Sequence, residues 1–466
     1  MTDVTILETP KDWPAILLPR VGDAAPTARG AAAAPAKGSA AAMAAPADPT
    51  DLDAATRAGA FDGLRRAIRD LGPTGTIAAV GASGLRGRGG AGFPAADKWR
   101  AASGTAAAGR VVVANGYGAD PASRTDQVLL EHNPFAVIEG LAIAAFAIGA
   151  GEAIIAVRAE ATSTIRVLEA AVAAVADAGL VGTNALGAGR HLDLSVRTVQ
   201  GAYLLGEETI LLKALEGKRG QPEQRPPHPA TRGLRGLPTV VHNVQTLAAL
   251  PWILVNGADA FAKIGAPDCP GTILVEVRGG DRSGVAEVPL GTSLREVAGL
   301  AGGGGKGRTL KAVLVGGPSG GILPPEALDT PYTFEGLRAA GAHVGSGSVV
   351  VADDRACIVD LARVLTRYCA DEACGKTIPC RIGTRRLSEI GDRLAAGTSR
   401  AGDLDLLTDL AADIVGSALC DHERLATLPL VSGMRYFRAE LDEHLERGSC
   451  PAGVCHPIAM AASATH

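Results

Sequence analysis

The chain has 466 residues, of which 47% are hydrophobic and 20% are charged, and its formal net charge at pH 7 is -4. This length is sufficient for two to four domains with buried cores. A slightly acidic balance provides no broad basic surface, which argues against a nucleic-acid partner.

The most apolar stretch runs from Gly140 to Gly151, between Glu139 and Glu152. Its 12 residues fall short of the roughly 20 that a bilayer-crossing helix requires. The first residues contain no basic segment before an apolar core, so no secretory signal is predicted. We therefore expect a cytoplasmic protein without direct membrane insertion, whose eight cysteines are thiols or metal ligands rather than disulfides.

Residues 1–50 are predicted to form a tail and an Ala/Pro-rich linker. Helices and strands then alternate over residues 51–256, which predicts a doubly wound, parallel α/β sheet. Strands are predicted at 76–80, 110–115, 153–157 and 192–199, and helices at 53–72, 133–151, 162–179 and 206–217.

Residues 265–349 change character, because short apolar runs alternate with glycine-rich turns around one predicted helix at 293–301. This pattern is typical of a small β-rich module of the ubiquitin-like kind. Residues 350–446 are predicted to form a bundle of about four helices, at 354–368, 384–397, 403–415 and 432–446. Residues 447–466 are predicted to be a C-terminal tail.

Five glycines and two arginines are crowded into residues 84–92. The spacing of Gly87, Gly89 and Gly92 formally matches a dinucleotide-binding loop, but that match is weak evidence by itself. Pro94 follows at once, and no ribose-binding acid stands at the usual distance. We therefore predict a different anion-binding loop, with bare backbone N–H groups facing the ligand.

Charged and aromatic side chains accompany this loop. Arg86, Arg88 and Lys98 are predicted to supply positive charge, and Phe93 to stack on a flat ring. The alternative is an ordinary surface turn in a glycine-rich protein. The clustering of the glycines with cations favours the ligand-binding interpretation.

Two later segments carry similar signals. In "GAYLLGEETILLKALEGKRGQP" (201–222), Glu207 and Glu208 stand at a predicted helix start and Lys218 just beyond its end. Helix dipoles alone favour such an arrangement. In "PTVVHNVQT" (238–246), His242, Asn243 and Thr246 lie at a turn into the next helix, where they could reach a ligand.

Together with "GLRGRGGAGFPAADKW" (84–99), these segments resemble the NADH-binding flavoprotein subunit of respiratory complex I, also found in NAD-linked hydrogenases and formate dehydrogenases. The resemblance covers roughly residues 52–445. It implies an α/β, Rossmann-like FMN-binding domain, followed by a ubiquitin-like, soluble-ligand-binding β-grasp (SLBB) domain and a C-terminal helical iron–sulfur bundle.

The resemblance also implies a cofactor site. Residues at the family's FMN positions are Gly87, Arg88, Gly89, Gly90, Lys98, Asn115, Tyr203, Gly206, Glu207, Asn243 and Thr246. Residues at positions that face NADH are Phe93, Asp120, Glu208 and Lys218. The implied chemistry is hydride transfer from NAD(P)H to FMN, and then transfer of single electrons to iron–sulfur partner subunits in a hetero-oligomer.

The family's acidic loop reads N-A-D-E-x-E-P-G, whereas this chain has "NGYGADPAS" from Asn115 to Ser123. Asp120 replaces a glutamate, and Tyr117 and Gly118 stand where two acids are expected. Lost negative charge near a flavin should raise its potential. It should also weaken discrimination against the extra phosphate of NADPH.

The implied cluster ligands depart further. Cys374, Cys380 and Cys420 stand at family positions for a 4Fe-4S cluster, but Thr377 occupies the fourth. Three thiolates could hold a 3Fe-4S cluster, or a 4Fe-4S cluster with a substitute ligand such as Cys369. The alternative is that the cluster is lost and these are core thiols.

The remaining cysteines carry weaker signals. Cys450 and Cys455 lie in "CPAGVC", a segment that leads into a ferredoxin-like domain in some relatives, so they could be a remnant or meet a partner. Cys269 and Cys357 are predicted to be structural, and the nine histidines show no paired zinc spacing. Three functional hypotheses follow. The chain is an FMN-dependent NAD(P)H oxidoreductase subunit, or a non-catalytic scaffold with a degenerate cofactor site, or a β-grasp ligand-binding protein that uses residues 271–348.

Overall fold

The computed structural model describes residues 4–18, 48–185, 189–305 and 307–455. Most of the predicted linker, and residues 456–466 of the predicted tail, lie outside these ranges. The described chain contains a parallel sheet flanked by helices, a second and mainly antiparallel sheet, and a C-terminal group of helices.

Residues 52–262 form the first of these regions. In chain order its elements are α1 (Leu52–Arg57), α2 (Asp62–Arg66), α3 (Gly72–Ala82), α4 (Ala95–Gly104), β1 (Val111–Gly116), α5 (Thr125–His132), α6 (Pro134–Ile148), β2 (Glu152–Arg158), α7 (Thr162–Asp177), β3 (Asp193–Val199), α8 (Glu208–Leu215), β4 (Thr239–Asn243), α9 (Val244–Asn256) and α10 (Ala258–Ala262). A π-helix, Ala67–Leu71, joins α2 to α3.

The sheet of this region has the strand order β3-β2-β1-β4, and every pairing is parallel. β1 is central, and its valines are buried because helices cover both faces. The chain passes from β1 to β2 on one side, whereas β4 pairs with β1 on the other. The boundary between β1 and β4 is therefore a topological switch point, where ligands commonly bind in such sheets.

The prediction of a strand at 76–80 is wrong, because these residues lie within α3. Pro73 is compatible with the first helical turn, and the Thr76 hydroxyl donates to Gly72 O at 2.7 Å. Thr76, Ile77 and Val80 then bury one face, as helical spacing allows. The other strands predicted in this region are confirmed. So are its helices at 133–151, 162–179 and 206–217, with Asn133 and Gly149 flanking α6. The single helix predicted at 53–72 is wrong, because residues 58–61 separate α1 from α2 and Phe61 adopts a left-handed φ of 69°.

The second sheet region contains β5 (Gly265–Ala266), β6 (Cys269–Pro270), β7 (Thr272–Arg278), β8 (Gly284–Pro289), α11 (Leu294–Gly299), β9 (Leu310–Val315), β10 (Gly321–Leu323), α12 (Phe334–Ala339) and β11 (Ser348–Asp353). Five strands pair in the order β10-β9-β11-β7-β8. Only the β11–β7 pairing of this sheet is parallel.

Part of the predicted N-terminal tail packs onto this sheet. Leu7 N donates to Val285 O at 2.8 Å. The buried Glu287 carboxylate accepts from the backbone N–H groups of Ile16, Leu17 and Leu18 at 2.8 to 3.1 Å. Burial raises the pKa of Glu287, and these donors favour its charged form.

The C-terminal helices are α13 (Ile358–Asp371), α14 (Thr384–Ala396), α15 (Asp403–Ser417), α16 (Asp421–Leu425), α17 (Leu428–Tyr436) and α18 (Arg438–Glu446). A π-helix, Pro379–Gly383, precedes α14. The single helix predicted at 432–446 is wrong, because Phe437 (φ -120°, ψ 38°) interrupts it and its ring packs against the apolar core of these helices.

Within the described ranges, no single helix is long and apolar enough to cross a membrane, although α5 and α6 pass that test as a pair bent by 95°.

Candidate functional site

Two asparagines mark the carboxyl edge of the parallel sheet. Asn115 and Asn243 are register partners on β1 and β4, so they lie side by side at the switch point. Asn115 Nδ2 donates to Gly206 O at 3.4 Å. Asn243 caps α9 by accepting from Gln245 N at 2.9 Å. Three segments that are remote in sequence therefore meet at this edge.

The glycine loop lies over the same edge. Gly87 N donates to Phe93 O at 2.8 Å, which closes the loop at its base. A Cβ at Gly89 would lie 3.4 Å from Asn243 Cβ. Gly90 has φ +103°, and a Cβ there would lie 3.1 Å from Gly345 O. The loop is thus a bare backbone held against the end of β4, and Gly89 is exposed.

The two arginines of the loop bind the protein itself. The buried Arg88 guanidinium donates to the carbonyls of Arg86, Pro270 and Thr272 at 2.6 to 2.9 Å. Its burial lowers the pKa of Arg88 to about 10. Arg86 pairs with Glu335 at 2.8 Å. These side chains fasten the loop to the second sheet region, instead of offering charge to an anion as expected.

The Arg88 backbone points the other way, because its N–H donates to the Thr246 hydroxyl at 2.8 Å. Thr246 is fully buried in the first turn of α9. This bond ties the loop to the helix that follows β4. Thr246 therefore positions the loop.

Lys98 and Phe93 remain beside the loop with ligand-accessible surfaces. Phe93 is 50% exposed, and the Lys98 ammonium lies 6.0 Å from its ring centroid. Lys98 also pairs with Glu208 at 2.6 Å. Burial alone would raise the pKa of Glu208, but Lys98 and Arg225 hold it below its usual range. A cation and an exposed aromatic ring thus stand together at the rim.

Glu207 begins α8, as predicted. Its carboxylate accepts from Thr209 N and Ile210 N at 2.8 and 2.9 Å, and it pairs with Arg225. Tyr203 precedes it in a 3₁₀ turn, where its hydroxyl bonds Ser319 Oγ at 2.7 Å and its N–H bonds the Glu372 carboxylate at 3.0 Å. This segment therefore joins the sheet edge to both other regions.

Asp120 and Lys218 have partners within the protein. The buried Asp120 carboxylate accepts from Ser346 Oγ at 2.6 Å and Ala122 N at 2.8 Å, and burial raises its pKa. Lys218 is 66% exposed and pairs with Glu216 at 2.5 Å. Lys218 and Cys374 line a cavity of about 550 Å³ behind the turn that carries Tyr203.

The buried imidazole of His242 does not face a ligand. Its Nε2 accepts from Trp99 Nε1 at 2.8 Å, and burial lowers the pKa of His242 to about 3. The expectation that this histidine reaches a ligand is therefore wrong. Its neutral ring supports the helix that carries Lys98.

Asp126 is a site residue that the sequence did not reveal. It is buried, and it accepts from Asn243 Nδ2 at 2.7 Å and Gln245 Nε2 at 2.9 Å. Burial raises the pKa of Asp126 to about 6. Its partners are more than a hundred residues away along the chain, and no local pattern signals that contact.

Tyr117, in the altered acidic loop, packs against Arg158 at the end of β2. The Arg158 guanidinium lies 4.7 Å from the Tyr117 ring centroid and donates to Gly118 O at 2.7 Å. Among the residues that the structure describes, none supplies a hydrogen-bond partner to the buried Tyr117 hydroxyl. A guanidinium therefore stands beside the loop in which two family acids are replaced.

The thiols at the implied cluster positions are neighbours. Burial is the main cause that raises the pKa of Cys380 to about 12, and the charges of Glu423, Cys420 and Cys374 contribute. Thr377 Oγ1 donates to Glu423 Oε1 at 2.8 Å. The fourth position thus presents a hydroxyl that is bound to a buried carboxylate.

Cys369 contacts a different part of the chain. Its thiol donates to Pro318 O at 3.5 Å, and its own carbonyl accepts from His422 Nε2 at 3.0 Å. Burial is the main cause that raises the pKa of Cys369 to about 12, and the nearby Cys380 thiol contributes.

A second group of donors was not foreseen. Cys357, His444, Cys450 and Cys455 place their ligand atoms within 4.8 Å of one another. The sequence hides this group because its members come from both ends of the helical region, and His444 has no histidine partner at zinc spacing.

A glycine loop over the carboxyl edge of a parallel sheet, beside a group of thiols, defines a class of flavin- and iron–sulfur-dependent oxidoreductases. Comparison with protein families agrees. Residues 80–252 match the Nuo51 FMN-binding domain, and residues 360–444 match the NADH-ubiquinone oxidoreductase-F iron–sulfur binding region. The chain belongs to this family of FMN- and iron–sulfur-binding subunits.

Individual relatives cover most of the chain. The NADP-reducing hydrogenase subunit HndC of Solidesulfovibrio fructosivorans is 40% identical over 88% of this chain and 83% of its own. An NADH-quinone oxidoreductase subunit of Mycobacterium tuberculosis is 41% identical over 84% of this chain and 89% of its own. The crystal structure of an NAD+-reducing [NiFe]-hydrogenase in the H2-reduced state superposes with a TM-score of 0.76, at 35% identity, over 87% of this chain and 68% of that one.

Proposed function

We propose that this chain is the NAD(P)H-oxidising subunit of a multi-subunit electron-transfer complex, in which NAD(P)H reduces FMN and single electrons continue to iron–sulfur partners. The family matches support this function and not the non-catalytic scaffold. The observation that carries the proposal is the bare Gly89 backbone held against Asn243 at the switch point, with Phe93 exposed beside it.

The residues at the sheet edge fit FMN. A Cβ at Gly89 would lie 3.4 Å from Asn243 Cβ, so a larger side chain would crowd that asparagine. Lys98 supplies a cation to the loop, and the Asn115 and Asn243 amides lie next to each other. When bound, FMN accepts a hydride and releases electrons singly.

Side chains around the loop would orient the nicotinamide and the flavin. Phe93 is free to stack on the nicotinamide, and Glu208 holds the Lys98 ammonium in place. Thr246 and the buried Arg88 fix the loop from behind. Arg88 thus contributes to the FMN site through its backbone and by keeping the loop rigid. For Asp120 and Lys218, contact with NADH is supported by the family resemblance alone.

The choice between NADH and NADPH depends on the altered loop. Relatives include a subunit of an NADP-reducing hydrogenase and one of an NADH-quinone oxidoreductase. Arg158 adds positive charge beside Tyr117, and a 2′-phosphate is attracted to a guanidinium. We expect this site to accept NADPH as well as NADH.

We further propose that Cys374, Cys380 and Cys420 hold the iron–sulfur cluster. The three thiols are neighbours, whereas the Thr377 hydroxyl is engaged by Glu423 and is a poor donor for soft iron–sulfur cores. A 3Fe-4S cluster, or a 4Fe-4S cluster with one labile iron, suits this donor set. Cys420 lies near Glu207, which is one of the residues proposed to bind FMN, so the thiols are close to the proposed flavin site.

The domain assignment belongs to the same proposal. We assign residues 51–256 to the FMN domain, 265–349 to an SLBB-type β-grasp domain, and 350–446 to the iron–sulfur bundle. The five-stranded sheet, whose apolar core includes residues of α11 and α12, supports the second assignment. A cytoplasmic location stays a prediction from the sequence.

The decisive experiment replaces a single glycine. Gly89→Val should abolish FMN binding, because the new side chain would crowd Asn243 and cover the exposed backbone of the loop. Gly109→Val is the matched control, since a Cβ there meets nothing within 4 Å and φ is not left-handed. Flavin content is measured from the absorbance of purified protein. If Gly89→Val retains its flavin, the assignment of the site is wrong.

A further inference from the structure

The group formed by Cys357, His444, Cys450 and Cys455 lies apart from the thiols at the family cluster positions. Cys357 caps the start of α13, and His444 lies on α18. Cys450 and Cys455 follow in the closing turn, in which Gly453 N donates to Cys450 O at 2.9 Å. Three separate parts of the helical region thus converge on one point.

The distances within this group are those of a single tetrahedral ion. Cys455 Sγ lies 3.6 Å from Cys357 Sγ, and each of these sulfurs lies 3.5 Å from His444 Nε2. A tetrahedral zinc ion with ordinary Zn–S and Zn–N bonds separates its sulfurs by about 3.8 Å, and sulfur from nitrogen by about 3.6 Å. Cys450 completes the four, within 4.8 Å of the others.

The surroundings orient the donors. His444 Nδ1 is 2.8 Å from Glu440 O, so that it donates to this carbonyl and leaves Nε2 free as a ligand. Asp360 N donates to Cys357 Sγ at 3.4 Å. The Glu440 carboxylate accepts from Ile358 N at 2.9 Å and pairs with Lys311. These contacts fix the imidazole and the first turn of α13 before any metal binds.

The donor set selects the metal. Three thiolates and one imidazole in tetrahedral geometry suit zinc, and four protein ligands leave no open position for a substrate. His444, Cys357 and Cys455 are buried, which is typical of a structural site. A cluster of several irons needs its thiolates farther apart than one ion does, and this group is compact.

We propose that Cys357, His444, Cys450 and Cys455 bind one zinc ion that joins the start of the helical region to its C-terminal turn. The site closes a loop between residues 98 apart in sequence. It is independent of the proposed flavin chemistry, because none of its ligands stands at a position assigned to FMN, NADH or the iron–sulfur cluster.

The first test uses the full chain as purified, without chelators. Elemental analysis should find one zinc per chain in addition to iron. Cobalt(II) added to zinc-depleted protein should give the intense visible absorption of a tetrahedral cobalt–thiolate site. The absence of both zinc and cobalt binding would overturn the proposal. Iron with acid-labile sulfide at these four residues would overturn it also.

Variants locate the metal. Cys450→Ala and Cys455→Ala should each lose the bound zinc while the iron content stays unchanged. Cys269→Ala is the matched control, because it removes a buried thiol outside the group and should keep the zinc. His444→Cys should keep the metal and intensify the cobalt–thiolate charge-transfer band. Zinc that persists in both alanine variants would show that it binds elsewhere. Should a variant fail to fold, the cobalt spectrum of the unaltered chain still decides the question.

Discussion

The C-terminal helices contain two groups of cysteines that differ in almost every respect. Cys374, Cys380 and Cys420 lie within the matched iron–sulfur binding region and are proposed to hold its cluster, but Thr377 stands at the fourth implied position. The group of Cys357, His444, Cys450 and Cys455 forms no zinc-binding motif in the sequence, but its four donors converge. A motif marks the first group, and geometry marks the second.

The comparison shows that a recognisable motif can lack a ligand, and that a complete set of ligands can lack a recognisable motif. The Thr377 hydroxyl donates to Glu423, so the position implied for a fourth ligand makes a hydrogen bond instead. The second group has its imidazole oriented by a backbone carbonyl. We expect the first group to hold its metal weakly and to serve redox chemistry, and the second to hold its metal tightly and to serve stability.

Removing one ligand from each group should give the largest and most divergent effects. Cys455→Ala should destabilise the helical region by about 3 kcal/mol or more, because structural zinc contributes directly to folding. Cys420→Ala should instead eliminate the iron signal in electron paramagnetic resonance. Chemical unfolding and iron analysis of both variants check this crossed pattern, and equal losses in both measurements would contradict it.

Restoring the missing ligand should change the first group alone. Thr377→Cys should raise the iron content from about three to about four per cluster, and should replace a three-iron signal with that of a cubane. Thr366→Cys is the control, since it adds a buried thiol on α13 outside the ligand set. No iron in either the unaltered chain or Thr377→Cys, both purified anaerobically, would mean that the site is vestigial.

A pH series should separate the metal sites from the α/β region. Burial raises the pKa of Glu139 to about 7, above its unfolded value, so the native state retains a proton that the unfolded chain releases. The stability of the α/β region should therefore fall as pH rises from about 4.5 to 7, by on the order of 3 kcal/mol. Zinc held by thiolates behaves oppositely, because it is released as pH falls.

Glu139→Gln tests that assignment in urea unfolding at pH 5 and pH 8. The variant should lose the pH dependence, whereas Glu160→Gln, at an exposed position, should keep it. An unchanged pH dependence in Glu139→Gln would assign the effect to another group, such as Asp126.

The smallest effect is expected at the rim of the flavin site, far from the two groups of cysteines. Phe93→Ala should weaken nicotinamide stacking by about 1 kcal/mol, which raises KM about fivefold with little change in flavin content. Val255→Ala, at another exposed apolar side chain, is the control. An unchanged KM would show that Phe93 does not contact the nucleotide.

Much of the parallel-sheet region could be predicted from the sequence. Apolar runs and helix-ending glycines such as Gly179 and Gly217 identify its elements, and both adopt left-handed φ. The prediction of a strand at 76–80 is wrong because so short an apolar run fits the repeat of a helix as well as that of a strand. The break at Phe437 was not predicted because it depends on the apolar core against which its ring packs, and that core forms only in the folded protein.

The site was predicted less evenly. The motifs located the glycine loop and the two asparagines, because each is a local pattern. They could not show that Arg88 binds carbonyls of another region or that His242 is buried, because burial depends on residues far along the chain. The group of Cys357, His444, Cys450 and Cys455 was not predicted for the same reason, since its outer members are 98 residues apart in sequence.

The carboxylate of Glu287, which receives three N–H groups from residues 16–18, has a consequence for synthesis on the ribosome. The partner of Ile16 is added 271 residues later, which takes roughly 14 to 54 s at ordinary translation rates. During that interval the nascent N-terminal segment has no docking partner. Its attachment is therefore a late event, which reports that the second sheet has emerged and folded.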